Sequence, residues 1–340
     1  MHSSQTNIGV LLINLGTPSA PNRRAIKNYL IEFLLDPRVI DLSWVKRQIL
    51  VRGAIIPLRI KQVLKSYQAI WNETGSPLLI HSQNAAHLLQ EKLGTNFHVS
   101  LAMRYQMPSI SHEIKKLISF NLQQLIILPL FPQYASATTG SIFEKVFCEL
   151  KHYPTLPKIT LINQFYKHPS LIQAFNAVSS PYQVENYDHV LFSFHGLPER
   201  HLQKAGTQGF CLQQGCCEQA CQENQNCYAA QCHQTAYAIA ESRAITNYSI
   251  CFQSRLGKEP WIQPFTADKI QRLAKQGAKR LLIFCPAFVA DCLETLYEIG
   301  VEYQELFQHA GGKTLDLVPS LNSHPVWIDA LETLVKEQVI

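Results

Sequence analysis

The sequence predicts an α/β protein made of two similar doubly wound, Rossmann-like lobes with parallel sheets. Three observations carry that expectation. Short apolar runs alternate with longer amphipathic segments along the whole chain. The apolar runs are nearly continuous, as in strands covered by helices on both faces. Punctuating residues also recur in the same order in the two halves: Gly16-Thr17-Pro18 with Gly196-Leu197-Pro198, Arg104 with Arg255, and Pro129-Leu130-Phe131 with Pro286-Ala287-Phe288, at offsets of 180, 151 and 157 residues.

In chain order, the first half holds VLLINLG (10–16), VSLAMRY (99–105), QLIILPLF (124–131) and KITLINQF (158–165). The second holds VLFSFHG (190–196), YSICFQS (248–254) and RLLIFCPAF (280–288), and each run reads as a buried strand. Between the first two strands, residues 42–72 carry six basic side chains (Lys46, Arg47, Arg52, Arg59, Lys61 and Lys65), no acidic one, and apolar clusters at 49–51 and 54–58. An exposed helix with a basic face explains that composition. So does a hydrophobic, basic lip that receives a large apolar carboxylate or rests on an anionic membrane surface. Pro169, Ser170, Ser179, Ser180 and Pro181 mark 168–188 as the crossover, which sets the lobes at 1–168 and 169–340. Strands of this kind deliver their loops to one edge of each sheet, so a ligand is expected in a cleft between the lobes. Candidate residues do fall just after strands: Asn14 and Gly16, Tyr134, His195, and Asp291 with Glu294.

With 340 residues, 46% of them hydrophobic and 16% charged, the chain has apolar material for two cores. A net charge of +5, from 30 basic residues interspersed with 25 acidic ones, argues against a nucleic-acid binder. The opening MHSSQTNIG lacks the basic flank, apolar stretch and cleavage site of a secretory signal. No run reaches the roughly 18 apolar residues that span a bilayer. The expectation is a cytoplasmic chain without a transmembrane segment, in peripheral contact at most with the inner face of the membrane. Six of the ten cysteines (Cys211, Cys216, Cys217, Cys221, Cys227 and Cys232) fall within 22 positions. In a reducing compartment such a patch favours metal or redox chemistry over disulfides.

Among 13 histidines, His195 is the one that directly follows an apolar run and precedes a glycine. In FVADCLETLYEIGVEY (288–303), Asp291, Glu294 and Glu298 stand three and four apart, which on an α-helix aligns carboxylates along one face. Solvated helix faces show the same spacing. Here Leu293, Leu296 and Tyr297 are interleaved and the segment follows the apolar LLIFCP, so the ladder is expected to face the cleft. Neighbouring carboxylates repel one another, which readies them to pass protons or hold a divalent cation. A histidine with a glutamate is both an acid–base pair and a ligand set for a first-row metal.

These residues sit in motifs that resemble the ferrochelatase family, enzymes that insert ferrous iron into a porphyrin. The motifs are LLINLGTP (11–18), YLIEFLLDPRVI (29–40), GSPL (75–78), AMRY (102–105), PLFPQYASATTGS (129–141), FSFHGLPERH (192–201), QSRLGKEPW (253–261), AFVADCLETLYEI (287–299) and GGKTLDLVPSLN (311–322), in family order over nearly the whole chain. The resemblance implies the two-lobed chelatase fold and the terminal step of haem b synthesis: Fe²⁺ and protoporphyrin IX as substrates, protohaem and two protons as products. It places His195 on the family's active-site histidine and Glu294 on the glutamate grouped with it as an iron site. Asp291 and Glu298 fall on the rest of the acidic path, and Tyr134, Arg104, Trp261, Phe252 and the lip residue Arg59 among the substrate contacts. Cys292 stands where some relatives have histidine, and Phe252 where some have tryptophan. The rival readings are coproporphyrin as substrate, a cobalt or nickel chelatase of the same fold and, in a different class, a haem- or metal-binding chaperone. The GGK and VPSLN ending resembles the branches that make protohaem.

Against relatives with a short segment after HGLP, residues 207–226 look like an insertion. Animal members that hold a [2Fe-2S] cluster use cysteines near the C-terminus, whereas this chain has none beyond Cys292. A cluster here would draw its four thiolates from Cys211, Cys216, Cys217, Cys221 and Cys227, while Cys232 belongs to the common framework. Zinc and metal-free thiols stay open as readings, although no repeated C-x-x-C pair of a zinc ribbon occurs.

Overall fold

The strands were located in a computed structural model, which describes residues 7–207, 209–255, 257 and 259–339. Gln208 of the cysteine-rich insertion and Leu256 and Lys258 of the QSRLGKEPW motif lie outside the described residues, as do residues 1–6 and Ile340. The apolar runs form two four-stranded sheets. The first contains β1 (Ile8–Gly16), β2 (Phe97–Tyr105), β3 (Gln124–Pro129) and β4 (Lys158–Leu161) in the order β2-β1-β3-β4. The second contains β5 (His189–His195), β6 (Tyr248–Gln253), β7 (Arg280–Phe284) and β8 (Thr314–Leu317) in the order β6-β5-β7-β8. Every pairing is parallel. The same order occurs twice, so the repeat seen in the punctuation is a repeat of topology.

Each central strand is buried on both faces, which is why the runs read as continuous rather than alternating. In the first sheet Leu11, Ile13, Leu125 and Ile127 pack against Ile110, Ile114 and Leu117 of the helix Ile110–Ile118. In the second, Leu191, Leu281 and Ile283 pack against Ile270, Leu273 and Phe307. At the end of β1 the chain leaves the sheet through Gly16, whose φ is +118° and where a Cβ would collide with the carbonyl of Tyr105. Only glycine satisfies both constraints.

Contact density divides the chain into two compact units, Met1–Phe131 with Ala135–Asn163 and Ile328–Ile340, and Pro132–Tyr134 with Gln164–Trp327. This division turns over after Asn163, places Pro132–Tyr134 in the second unit, and groups the end of the helix Pro325–Lys336 with the first. Lys92 pairs with Asp329 and lies 3.6 Å from Glu332, and Gln124 donates to the carbonyl of Gln338 at 2.8 Å. The prolines and serines of 168–188 punctuate a helix, Pro169–Ser179, rather than a bare linker. Pro169 occupies its first turn and the His168 ring caps it by accepting from the Ser170 amide.

The basic segment 42–72 forms one nearly continuous helical stretch: α-helix Trp44–Ile49, a π-helical turn Leu50–Ile55 and α-helix Ile56–Ile70. Arg47 is not one of its exposed cations. It is buried and donates to the carbonyls of Ile40 and Leu42. The acidic segment also departs from the sequence expectation. Residues Glu294–Tyr303 form a π-helix, and Asp291 precedes it. The three acids therefore do not lie on one α-helical face. Wide turns of this type recur at functional sites.

Candidate active site

His195 is the last residue of β5, half-buried, and its ring packs edge-on against Phe288 at 6.3 Å. Its Nδ1 lies 2.7 Å from the carbonyl oxygen of Gly196. A carbonyl only accepts, so Nδ1 carries the proton and Nε2 presents a lone pair. The backbone around the ring is held from two sides: the Tyr228 hydroxyl donates to the His195 carbonyl at 2.8 Å, and the Gly196 amide donates to the Gln253 carbonyl at 2.8 Å. A Cβ at Gly196 would fall 2.8 Å from that carbonyl oxygen and 3.3 Å from Cε3 of Trp261, so the histidine corner needs glycine to approach its neighbours this closely. Trp261 is buried and pairs with Pro198 through an isolated bridge. Phe252 is buried too, 6.4 Å from Phe194.

The three acids occupy three different environments. Asp291 is buried, with Oδ1 accepting from Thr295 Oγ1 at 3.0 Å and the Ser320 amide at 3.2 Å, and Oδ2 from Asn322 Nδ2 at 2.7 Å. Glu298 has four donors: the Ser254 amide (2.9 Å) and Tyr303 hydroxyl (2.8 Å) on Oε1, and Gln253 Nε2 (3.2 Å) and the Ser254 hydroxyl on Oε2. Burial and the Glu298 charge push the Tyr303 phenol far above its ordinary range, so it stays a donor. Glu294, half-buried at the start of the π-helix, receives a hydrogen bond from the Cys292 thiol. Burial first, then the Glu294 charge, hold that thiol protonated. Of the three carboxylates, Glu294 is the one not tied down by a set of backbone and side-chain donors among the described hydrogen bonds.

Gln253, Ser254 and Tyr303 escaped the sequence reading. Gln253 is 2% exposed although polar, and it pairs in register with His195. A polar residue ending an apolar strand one position before a predicted turn was the available signal.

Tyr134, half-buried, has its amide bound by the Gln231 side chain at 2.8 Å. In the first unit, Arg104 lies within β2 rather than after it. Its Nη2 donates to the buried Asp36 at 2.6 Å and its Nε to Ser141 Oγ at 2.6 Å, and it lies over the Tyr105 ring at 4.6 Å. Arg59 is exposed on the helix Ile56–Ile70.

The cysteine-rich insertion brings four thiols together pairwise. Cys216 and Cys217 Sγ are 3.6 Å apart, and Cys227 is hydrogen-bonded by both Cys217 and Cys211. Cys227 caps the helix Tyr228–Ser242, and the bond from Cys217, with the Ala229 and Ala230 amides, holds its thiol below the ordinary range. Asn224, 3% exposed, staples the loop: it accepts from the Cys221 amide at 2.9 Å and donates to the carbonyls of Cys216 (2.8 Å) and Gln219 (2.7 Å). Cys221 lines a cavity of about 250 Å³ with Tyr166, Lys167 and Gln225. Among the described residues no three or more His, Cys, Asp and Glu side chains converge on a single metal position.

A family model described as Ferrochelatase matches residues 7–339. The chain is 46% identical over 333 residues to the ferrochelatase of Legionella pneumophila (strain Paris), covering 97% of this chain and 99% of that one. It is 44% identical over 340 residues to the ferrochelatase of Coxiella burnetii (strain Dugway 5J108-111), covering 99% and 95%. Among solved structures, SirB from Bacillus subtilis with Fe³⁺ superposes with a TM-score of 0.55 at 14% identity over 98% of this chain and 95% of that one. At that identity the likeness speaks for the fold alone.

Proposed function

This chain belongs to the ferrochelatase family and is a metal chelatase, and we propose that its substrates are Fe²⁺ and protoporphyrin IX and its products protohaem and two protons. A free-base porphyrin offers the metal neither a charge nor an exposed lone pair, because two of its nitrogens carry protons and the others point into the ring. The insertion site must therefore bend the ring and accept two protons. The observation that carries the reading is the His195 tautomer, with Nδ1 donating to Gly196 and Nε2 left basic. His195 takes the pyrrole protons and Glu294 passes them on and balances the charge exchanged for the incoming iron. Asp291 and Glu298, with their oxygens occupied by donors, shape this path rather than supply free carboxylates. Tyr134, Trp261, Phe252, Arg104 and Arg59 are assigned to the porphyrin, whose contacts offset about 1–5 kcal/mol of ring strain. The test is His195→Ala assayed for haem formation and for porphyrin fluorescence quenching: insertion falls about 10²–10⁴-fold while binding persists. Near-normal turnover would remove the assignment.

Four of Cys211, Cys216, Cys217, Cys221 and Cys227 are assigned as the ligands of a [2Fe-2S] cluster, on the approach of Cys216 to Cys217 and of the Cys227 thiol to Cys217 and Cys211. Bound there, such a group supplies a rigid cross-link and a one-electron redox centre, and insertion needs neither. The helical stretch 44–70 is assigned to peripheral contact with an anionic membrane surface. Trp44, Ile49 and Leu58 are 67%, 68% and 81% exposed beside the exposed Lys46, Arg52, Arg59, Lys61 and Lys65. No helix among the described residues is long and apolar enough to cross a membrane.

A further inference from the structure

Gln253 touches both the corner that carries His195 and the π-helix that carries Glu294 and Glu298. Its backbone carbonyl accepts from the amide of Gly196, next to His195, at 2.8 Å. Its side-chain Nε2 donates to the carbonyl of Glu294 at 2.9 Å and to Glu298 Oε2 at 3.2 Å. Its Oε1 accepts from Ser193 Oγ at 2.7 Å, and the Cys285 thiol lies 3.8 Å from the same oxygen. The residue is 2% exposed, so solvent cannot replace these partners. Both ends of the amide meet groups of the right polarity: a hydroxyl and a thiol on the oxygen side, a carbonyl and a carboxylate on the nitrogen side. Neither a carboxylate nor an apolar side chain of the same size satisfies all four.

The backbone bond fixes the corner that holds the His195 ring, and the side-chain bonds fix the first turn of the π-helix that carries Glu294. The Gln253 amide gives the Glu294 carbonyl a partner outside the helix and so ties the first turn of the π-helix to the end of β6. Glu298 completes the arrangement: its Oε1 accepts from the amide of Ser254 and its Oε2 from the Ser254 hydroxyl as well as from Gln253, and the φ of +66° at Ser254 turns the chain away from β6. We infer that Gln253 is a positioning residue for metal insertion, holding the π-helix and the His195 corner in a fixed mutual register through its amide, with Glu298 as its counterpart.

This inference rests on His195 and Glu294 being the proton-handling pair, and the test separates the two. Gln253→Met keeps the length of the side chain and removes the amide, and Gln253→Glu with Glu298→Gln reverses the pair and restores one hydrogen bond between them. Both are compared with His195→Ala for porphyrin affinity by fluorescence titration, and for single-turnover insertion normalised to porphyrin-binding sites, so that misfolded molecules do not count. The expected result is an insertion rate about 10- to 100-fold lower in Gln253→Met at nearly unchanged porphyrin affinity, partly recovered in the reversed pair. A rate within about twofold of the wild type in Gln253→Met, with His195→Ala inactive, overturns the positioning role and leaves the acid–base reading intact. An active His195→Ala overturns that reading first. Equal losses in porphyrin affinity and rate would assign Gln253 to general stability and also overturn the inference.

Discussion

Replacing Asn224 with alanine is expected to open the sulfur-bearing loop without unfolding the protein. The side chain is 3% exposed and makes three hydrogen bonds to the backbone of residues 216–221. At about 1 kcal/mol for each net bond, the truncation costs the closed loop about 3 kcal/mol. Each 1.4 kcal/mol is about tenfold, so the opened population rises by roughly 100-fold. Hydrogen exchange followed by mass spectrometry over 216–224 reads this directly, and iron and acid-labile sulfide counted per chain after anaerobic purification read its effect on cluster loading. Asn224→Asp serves as the graded control, because it keeps the acceptor for the Cys221 amide and loses both donors. Unchanged protection of 216–224 in a folded Asn224→Ala protein would refute the argument that this one amide organises the thiols.

Four other outcomes follow from the same geometry. Tyr303→Phe removes a buried hydrogen bond to a carboxylate and is expected to lower stability by about 1.5–3 kcal/mol, read from the urea midpoint. Gly196→Ala forces a methyl group against the Gln253 carbonyl and Trp261, so insertion activity is expected to fall together with stability by about 1–3 kcal/mol. The amides of Lys279 and Arg280 hold Asp188 below the ordinary carboxylate range. Its contribution is therefore present above the unfolded-state value and lost as pH falls through the folded one. The stability advantage of the wild type over Asp188→Asn, measured by denaturant titration, is expected to be full at neutral pH and to shrink below about pH 4. Co-sedimentation with vesicles containing phosphatidylglycerol is expected to weaken on replacing Trp44, Ile49 and Leu58 with serine and on raising the salt, and binding indifferent to both would dismiss the membrane contact.

Much of the architecture was written in hydrophobic runs, because a parallel strand buried on both faces leaves nothing else for its sequence to be. Seven of the eight strands announce themselves in this way. The exception, β8, is four residues long and half-exposed, with Asp316 in its middle, and so lacks the continuous run. The acidic ladder was legible as residues but not as geometry. The same leucines and tyrosines suit α and π turns, and only the pattern of backbone bonds distinguishes them. The donors around Glu298 were hidden for another reason: Gln253, Ser254 and Tyr303 are ordinary polar residues whose importance comes from meeting on one carboxylate, a property of the folded chain. Likewise the cysteine count pointed to sulfur chemistry, while the tie between the backbones of Cys221 and Cys216 through Asn224 shows only in the folded loop.

The bond between Tyr228 and the His195 carbonyl has a mechanical meaning. Cys227 stands at the N-cap position of the helix that Tyr228 begins, so one peptide unit separates a thiol of the sulfur group from the phenol that braces the His195 backbone. On the proposals that the thiols hold a cluster and that His195 takes the pyrrole protons, damage to the sulfur end, by oxidation or loss of that cluster, would reach the histidine corner as a slackened strut rather than as a missing ligand. Turnover would then decline while the sheets beneath stayed whole.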